Sequence, residues 1–396
     1  MQTALYESSP LTHGSARQRQ VTSGHTGRPQ DEMEFADMEF EPVKFGVVGL
    51  GMGQHHCKAV TQAKGAELVA VCDIDMSRTN KMVETYGCAG YEKYEEFLAH
   101  PGLEAVCICV PSGMHADFGI QAIRKGKHLV VEKPPDVKAS KVQAMIDAAA
   151  KKGVKLEQIF QQRMSPLNRR IKDVIDKGRL GTLVGINALL PWWRHQSYYE
   201  DVAHGKWKGT WALDGGGSLA NQGVHTVDIM LYFFGRVKSV FGKFGVFTHD
   251  IEAEDQTVAV LHFANGALGT IMTTTCAYRG TDQILLLFGE RGQIRQSTYL
   301  EAWQIMHEDD PKREKEKAEE AEMLALYGPK DKKGETVASD PWALSADGHT
   351  AHVEDLAKAI RTGSEPMSTP AMAKHDVEVI EAIFKSGRTG KEVLIK

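Results

Sequence analysis

The sequence predicts two units of different class. Residues 44–164 read as a Rossmann-type, doubly wound parallel α/β sheet. Residues 165–396 read as an α+β unit with a mostly antiparallel open sheet and helices on one face. Three observations carry this. Apolar runs of strand length at 44–48, 67–72, 103–110 and 127–132 alternate with helical stretches at 54–64, 77–86, 115–125 and 138–152. Such alternation makes a parallel sheet covered on both faces. Past residue 165 the texture changes to strands near 182–190, 237–248, 255–263, 267–276, 282–288 and 292–298. Asn265-Gly266 and Gly289-Glu290-Arg291-Gly292 each separate two of these runs, which predicts hairpins. A chain of 396 residues also exceeds one typical core.

The remaining elements follow from periodicity. Helices are expected at 167–177, 218–234, 349–361 and 370–385, with a last short strand at 392–395. The mixed-charge run at 308–322 spaces Lys and Glu four apart and reads as a solvated helix. Residues 1–43 are rich in Ser, Thr, Gln and Gly and end in six acids (Asp31, Glu32, Glu34, Asp37, Glu39, Glu41). So few apolar groups do not offset chain entropy, so a disordered extension is expected. Arg17, Arg19 and Arg28 against a lone Glu7 faintly resemble a transit peptide; a start at Met33 or Met38 is the other reading.

The formal net charge of −5, with no basic patch interleaved with aromatics, argues against a nucleic-acid partner. No run reaches membrane-spanning length. The six cysteines lack metal-ligand spacing, and Cys107 and Cys109 alternate on a buried strand. A reduced, cytoplasmic protein is the expectation. His55-His56-Cys57 predicts no metal, because adjacent helical residues share no face.

The strongest local signal is Phe45-Gly46-Val47-Val48-Gly49-Leu50-Gly51-Met52-Gly53, with Asp73 closing the next apolar run. Strand, glycine turn, helix and strand-end carboxylate together make a dinucleotide site. Gly49 permits the tight turn, and Gly51 lets backbone approach a pyrophosphate at a helix N-terminus. Asp73, 22 residues after Gly51, stands where a carboxylate accepts ribose hydroxyls. It repels a 2′-phosphate, so NAD is favoured over NADP. Arg78, five residues on and helical, is not read as a phosphate clamp. A third glycine at position 54 is replaced by Gln54: either Gly53 does its work, or the helix packs less closely on the strand.

Ligands of open parallel sheets bind beyond the carboxyl ends of the strands. Pro111, Ser112 and His115 follow one such end, and Glu132 and Lys133 another. With Gly49, Gly51, Met52, Gly53 and Asp73 they form the candidate cofactor set. Lys133 would face the nicotinamide crevice, where burial and cofactor charge lower an amine's pKa toward acid–base use. The competing reading pairs it structurally with Glu132 or with phosphate. A second constellation runs from Asp214 through three glycines to Asn221, His225 and Asp228. On a helix over 219–234, Asn221, His225, Asp228 and Tyr232 share one stripe. Such polar groups must reach water, each other or a ligand; the alternative is a core histidine bonded to Asn221 or Asp228. The triple glycine lets backbone pass something bulky. Arg163, Trp192, Trp193, Arg194, Tyr198 and Tyr199 suit a sugar or phosphate-bearing substrate, or equally a subunit interface.

Taken in order, these motifs resemble the Gfo/Idh/MocA oxidoreductases. The matching pieces are Val48-Gly49-Leu50-Gly51, Asp73, Val110-Pro111-Ser112 with His115, Glu132-Lys133-Pro134, Gln162-Arg163, the stretch from Gly215 to Asp228, and Gly387-Arg388-Thr389-Gly390. The resemblance implies a nicotinamide cofactor and a sugar, polyol, inositol or nucleotide-sugar substrate. It implies that Lys133 moves the hydroxyl proton and that His225 orients or assists that transfer. Arg163, Trp192, Tyr198, Asn221 and His225 are the expected substrate contacts. Inositol dehydrogenase-like members carry Asp where Asn221 stands; an amide relays no proton, so Asn221 is expected to hold a substrate hydroxyl. The family also implies a homodimer or homotetramer joined through the open sheet face. Two other readings keep the fold: a redox-neutral NAD-dependent glycosidase, and a non-catalytic nicotinamide- or sugar-sensing regulator.

Overall fold

A computed structural model describes residues 40–200, 206–329 and 347–396. The expected extension therefore lies, over 1–39, outside the described residues.

The first sheet holds six parallel strands in the order β3-β2-β1-β4-β5-β6: β1 (Val43–Val48), β2 (Ala66–Cys72), β3 (Ala89–Tyr91), β4 (Ala105–Ile108), β5 (His128–Val131) and β6 (Leu156–Gln158). Every residue of β4 is buried, as is all of β1 but Lys44. Continuous burial is why these strands read as apolar runs rather than alternating ones. Helices α1 (Gly53–Gln62), α2 (Met76–Tyr86), α3 (Tyr94–Leu98), α4 (His115–Arg124) and α5 (Ala139–Lys152) make the crossovers. The order reverses between β1 and β4, which opens a crevice at the strand ends. Two short strands escape the pattern. β3 is three residues long, and β6 buries Glu157 and Gln158, so neither shows an apolar run.

After α6 (Gln161–Met164) and α7 (Pro166–Asp176) comes the second sheet. It comprises β7 (Leu183–Pro191), β8 (Val237–Gly245), β9 (Gln256–Phe263), β10 (Leu268–Thr274), β11 (Ile284–Gly289), β12 (Gly292–Gln296), β13 (Leu300–Ile305) and β14 (Val393–Leu394). The order is β13-β12-β11-β7-β10-β9-β8-β14, antiparallel except where β7 and β10 run parallel. Both predicted hairpins form. Helices α8 (Val224–Phe234), α9 (Glu314–Tyr327), α10 (Asp347–Thr362) and α11 (Pro370–Thr389) complete the fold. Along β9, Thr257, Ala259 and Leu261 are buried while Val258 and Val260 are 44% and 47% exposed, so one sheet face lies open. Among the described residues no helix is long and apolar enough to cross a membrane.

Three expectations need correction. The helix placed at 308–322 starts at Glu314, because Asp310 accepts the backbone N–H groups of Glu314, Lys315 and Glu316. Nor is it merely solvated: Glu319 takes Arg179 and the Trp303 indole, and Met323 is buried. The expected helix over 218–234 is broken into a wide π-helical turn at Ser218–Gln222 followed by α8. Finally, not all of the α+β unit expected over 165–396 packs on the second sheet. α10 returns to the first sheet, where Val353, Leu356 and Ala357 join the core containing Val43, Phe45 and Val47.

Candidate active site

The glycine turn after β1 is set by close approach. Gly49 has φ +87°, and a Cβ there would stand 2.6 Å from the carbonyl carbon and oxygen of Cys109. Gly53 answers the third-glycine question: its Cβ would lie 2.8 Å from Val47 Cγ1, so it is the residue that lets α1 pack on β1. Asp73, buried at the end of β2, closes the turn from the other side. Its Oδ2 accepts Leu50 N at 2.5 Å and its Oδ1 accepts Asp75 N at 2.8 Å. A turn this tight, followed by a helix N-terminus and faced by a strand-end carboxylate, fits a dinucleotide.

A cleft of about 570 Å³ runs from this turn to the second unit. Gly49, Gly51, Met52, Asp73, Pro111 and Ser112 line one part of it. His115, Glu132, Lys133, Tyr198 and Asn221 also line it. Arg78, set aside on sequence grounds, also borders the cleft, with Nε 3.4 Å from Asp75. Its helix begins there, so its long side chain reaches back over the strand end. The sequence reading missed Trp207, Lys208 and Leu213, which close the cleft from the second unit. Gly113 docks that loop: its N–H donates to Leu213 O at 2.8 Å, and a Cβ would meet Ala212 O at 2.1 Å. Loops carry no periodicity, so only glycine and the paired aromatic and cation hinted at this wall.

Lys133 follows β5 and reaches across to the π-helical turn. Its Nζ donates to Asn221 O at 3.2 Å and lies 3.5 Å from Asn221 Oδ1. Burial lowers its pKa; Glu132 and Asp214 pull it up, and Arg194 lowers it again. Glu132 does not pair with the ammonium, as the structural alternative had it, but is held from behind. Its Oε1 accepts His56 Nε2 at 2.7 Å and His349 Nε2 at 3.2 Å, and its Oε2 accepts Lys133 N at 3.0 Å. Burial raises the Glu132 pKa, but the two imidazole hydrogen bonds outweigh it and hold the carboxyl well below its usual range. His115 spans two strand ends, with Val110 O and Pro134 O each 2.7 Å from a ring nitrogen.

The turn carrying Asn221 is built by Glu254. Its buried carboxylate accepts Gly217 N, Ser218 N and Leu219 N at 2.9–3.2 Å, and the Ser218 hydroxyl. The three glycines pass close to the protein itself: Cβ atoms at Gly215, Gly216 and Gly217 would strike Val137, Phe384 and Glu254 O.

Three of the five expected substrate contacts stand outside the cleft lining, as does Gly53 of the cofactor set, which packs α1 on β1. Arg163 is tied to Asp228 through Nε at 2.8 Å and lies between Phe160 and Tyr232, away from the cleft lining. Trp192 stacks under the Arg194 guanidinium, 5.0 Å from the ring centre, and its indole nitrogen is buried without a partner. His225 is partly buried and does not line the cleft; its ring stands edge-on to Phe160 and its Nδ1 is buried without a partner. Burial, then the Lys133 charge, lowers its pKa to about 3, so the ring is neutral.

Comparison with known proteins agrees with this architecture. The model of the oxidoreductase family with an NAD-binding Rossmann fold matches residues 43–160, and that of the GFO/IDH/MocA C-terminal domain matches 168–295. The chain belongs to the GFO/IDH/MocA oxidoreductases. It is 25% identical over 361 residues to the scyllo-inositol 2-dehydrogenase (NAD(+)) of Bacillus subtilis, covering 89% of this chain and 96% of that one. It is 26% identical to the D-xylose 1-dehydrogenase (NADP(+)) 2 of Haloferax volcanii, covering 88% and 98%. The WlbA dehydrogenase of Bordetella pertussis, solved with NADH and UDP-GlcNAcA, superposes with TM-score 0.78 at 26% identity over 91% of this chain and 99% of that one. The GFO/IDH/MocA chain described here is thus an NAD-binding oxidoreductase.

Proposed function

We propose that the chain is an NAD-dependent dehydrogenase or reductase of a secondary alcohol or ketone on a sugar, polyol, inositol or nucleotide-sugar. Lys133 is its acid–base group. The observation that carries this reading is the placement of Lys133 Nζ at the inner end of the dinucleotide cleft, desolvated and held by Asn221. Relatives named as dehydrogenases of inositols, a pentose and a glucoside point to the same substrate class.

When bound, the nicotinamide ring supplies the hydride acceptor or donor. In oxidation, the neutral Lys133 amine takes the hydroxyl proton; in reduction, its ammonium returns it. Asn221 Oδ1 and the Tyr198 hydroxyl line the space where a substrate hydroxyl would sit. Tyr198 accepts Gln222 Nε2 at 2.9 Å, which leaves its own hydrogen to donate. Neutral His225 feels the Lys133 charge and has the assisting role in that proton transfer. Asp73 and the glycine turn hold the adenosine half, and the carboxylate favours NAD over NADP.

Nicotinamide absorbance tests this on purified protein, with NAD and NADP against inositols, aldoses, polyols and UDP-sugars. Lys133→Ala is expected to lower kcat by about 10²–10⁴ while cofactor binding persists. Full turnover in Lys133→Ala would overturn the assignment. Cleaved glycoside without reduced cofactor would move it to the redox-neutral glycosidase, and bound cofactor without turnover to the sensor. The open sheet face, with Val258, Val260 and Leu268 exposed, supports self-association. Val260→Lys is expected to shift the sedimentation coefficient toward monomer.

A further inference from the structure

We propose that Asp214 is the positioning residue of the acid–base lysine: acting through the Asn221 side chain, it decides which amide atom faces Lys133 and places a negative charge behind it. The inference rests on the role proposed above for Lys133.

Asp214 is 1% exposed and sits at the end of the loop that precedes the three glycines. One oxygen is fixed from outside the cleft, where Oδ2 accepts Gly209 N at 2.7 Å. Gly209 has φ +72°, and a Cβ there would press on Ile251 and Tyr199, so this donor is rigidly placed. The other oxygen, Oδ1, accepts a hydrogen bond from Asn221 Nδ2. An ionised carboxylate only accepts, so the amide has one allowed orientation. With Nδ2 toward Asp214, Oδ1 turns toward Lys133 Nζ, 3.5 Å away, beside the backbone oxygen of Asn221 at 3.2 Å. The string Gly209, Asp214, Asn221, Lys133 therefore has a single polarity. Without Asp214 the amide is free to flip and present N–H groups to the lysine.

The charges around this string are mixed. Lys133, Lys208, Tyr198 and Tyr199 face Asp214. Glu132, Arg194, His115 and His225 face Lys133 from the other elements. Burial pushes the Asp214 carboxyl up to about 7; the Gly209 N–H, the Asn221 amide and the two lysines oppose it. Its charge is accordingly present above that range and fades below it. Loss of that charge lowers the Lys133 pKa.

The test uses the full chain and the variants Asp214→Asn, Asp214→Glu and Asn221→Ala. Trace acetylation across a pH series, read on the Lys133 peptide by mass spectrometry, reports the lysine pKa without any substrate. Asp214→Asn is expected to lower it by about one unit, with Asp214→Glu restoring part of the shift. Where a substrate turns over, kcat should fall roughly 10–100-fold, with nicotinamide affinity within about threefold and the acid limb moved to lower pH. Asn221→Ala should act in the same direction, and the Asp214→Asn/Asn221→Ala double variant should be little worse than either single. An unmoved Lys133 pKa in folded Asp214→Asn, or additive losses, would overturn the proposal. If Asp214→Asn does not fold, an unmoved Lys133 pKa in Asn221→Ala does the same. A shifted lysine pKa in a protein that needs no Lys133 for turnover would refute the catalytic reading and leave the positioning intact.

Discussion

Asp73 stands where one side chain can serve fold and cofactor together. Its carboxylate closes the glycine turn through Leu50 N and Asp75 N, and it lines the cleft beside that turn. Arg78 stands on the same rim, partnered with Asp75. Removing the Asp73 charge should therefore do more than weaken NAD binding. It lifts the repulsion of a 2′-phosphate while leaving a guanidinium within reach. Asp73→Ser is expected to raise the NADP-to-NAD ratio of kcat/KM by about 10–100-fold, an electrostatic change of about 1.4–2.7 kcal/mol. Steady-state kinetics with both cofactors measure it; an unchanged ratio would show that selectivity lies elsewhere.

At the scale of elements, the wide turn at Ser218–Gln222 decides where Asn221 points. No helix propensity explains it. Three consecutive backbone N–H groups converge on Glu254, which lies before β9. Burial pushes the Glu254 carboxyl up to about 7, so above that range these are hydrogen bonds to an ionised group, worth about 1.5–3 kcal/mol each, and orphaned buried donors cost comparable amounts. Glu254→Ala should destabilise the chain by roughly 3–5 kcal/mol, visible as a lowered denaturation midpoint. It should also depress kcat, since the Asn221 contact with Lys133 depends on that turn. Retained stability in Glu254→Ala would mean that the glycines alone hold the turn.

For the molecule as a whole, the return of α10 to the first sheet is the decisive feature. His349 reaches Glu132, and Arg361 grips Glu104 and the carbonyls of Glu41 and Pro42. His352 accepts Phe160 N at 3.1 Å through Nε2, so its other nitrogen carries the hydrogen donated to Glu157. Burial lowers the His352 pKa to about 3, against about 6.5 in the unfolded chain. Between those values the unfolded state binds the extra proton. The contribution of His352 to stability is thus complete above about 6.5 and lost as pH falls toward 3. Relative to His352→Gln, the wild-type chain should lose about 2 kcal/mol of its advantage between pH 7 and pH 5. Denaturant unfolding of both proteins at the two pH values checks this; a constant difference would mean that His352 does not titrate on unfolding.

Much of this architecture is local and was legible in the sequence. A parallel strand buried on both faces must be apolar, a turn as tight as that at Gly49 excludes a Cβ, and a strand-end Lys133 falls at the carboxyl edge of the parallel sheet whatever follows. These features depend on a few neighbouring residues, so periodicity and glycine placement sufficed, and Gly53 could be weighed as the substitute for a third glycine. The tertiary structure alone decided what distant residues do to one another. Lys133 meets Asn221 across 88 positions, Glu254 shapes Ser218 across 36, and His349 reaches Glu132 across 217. The same long-range pairing drew Arg163 to Asp228, 65 positions on, and away from the cleft. A side chain's polarity is written in its own residue, but its partner is set by which surfaces the whole chain brings together. The glycine turn therefore belongs to the sequence, and the environment of Lys133 belongs to the fold.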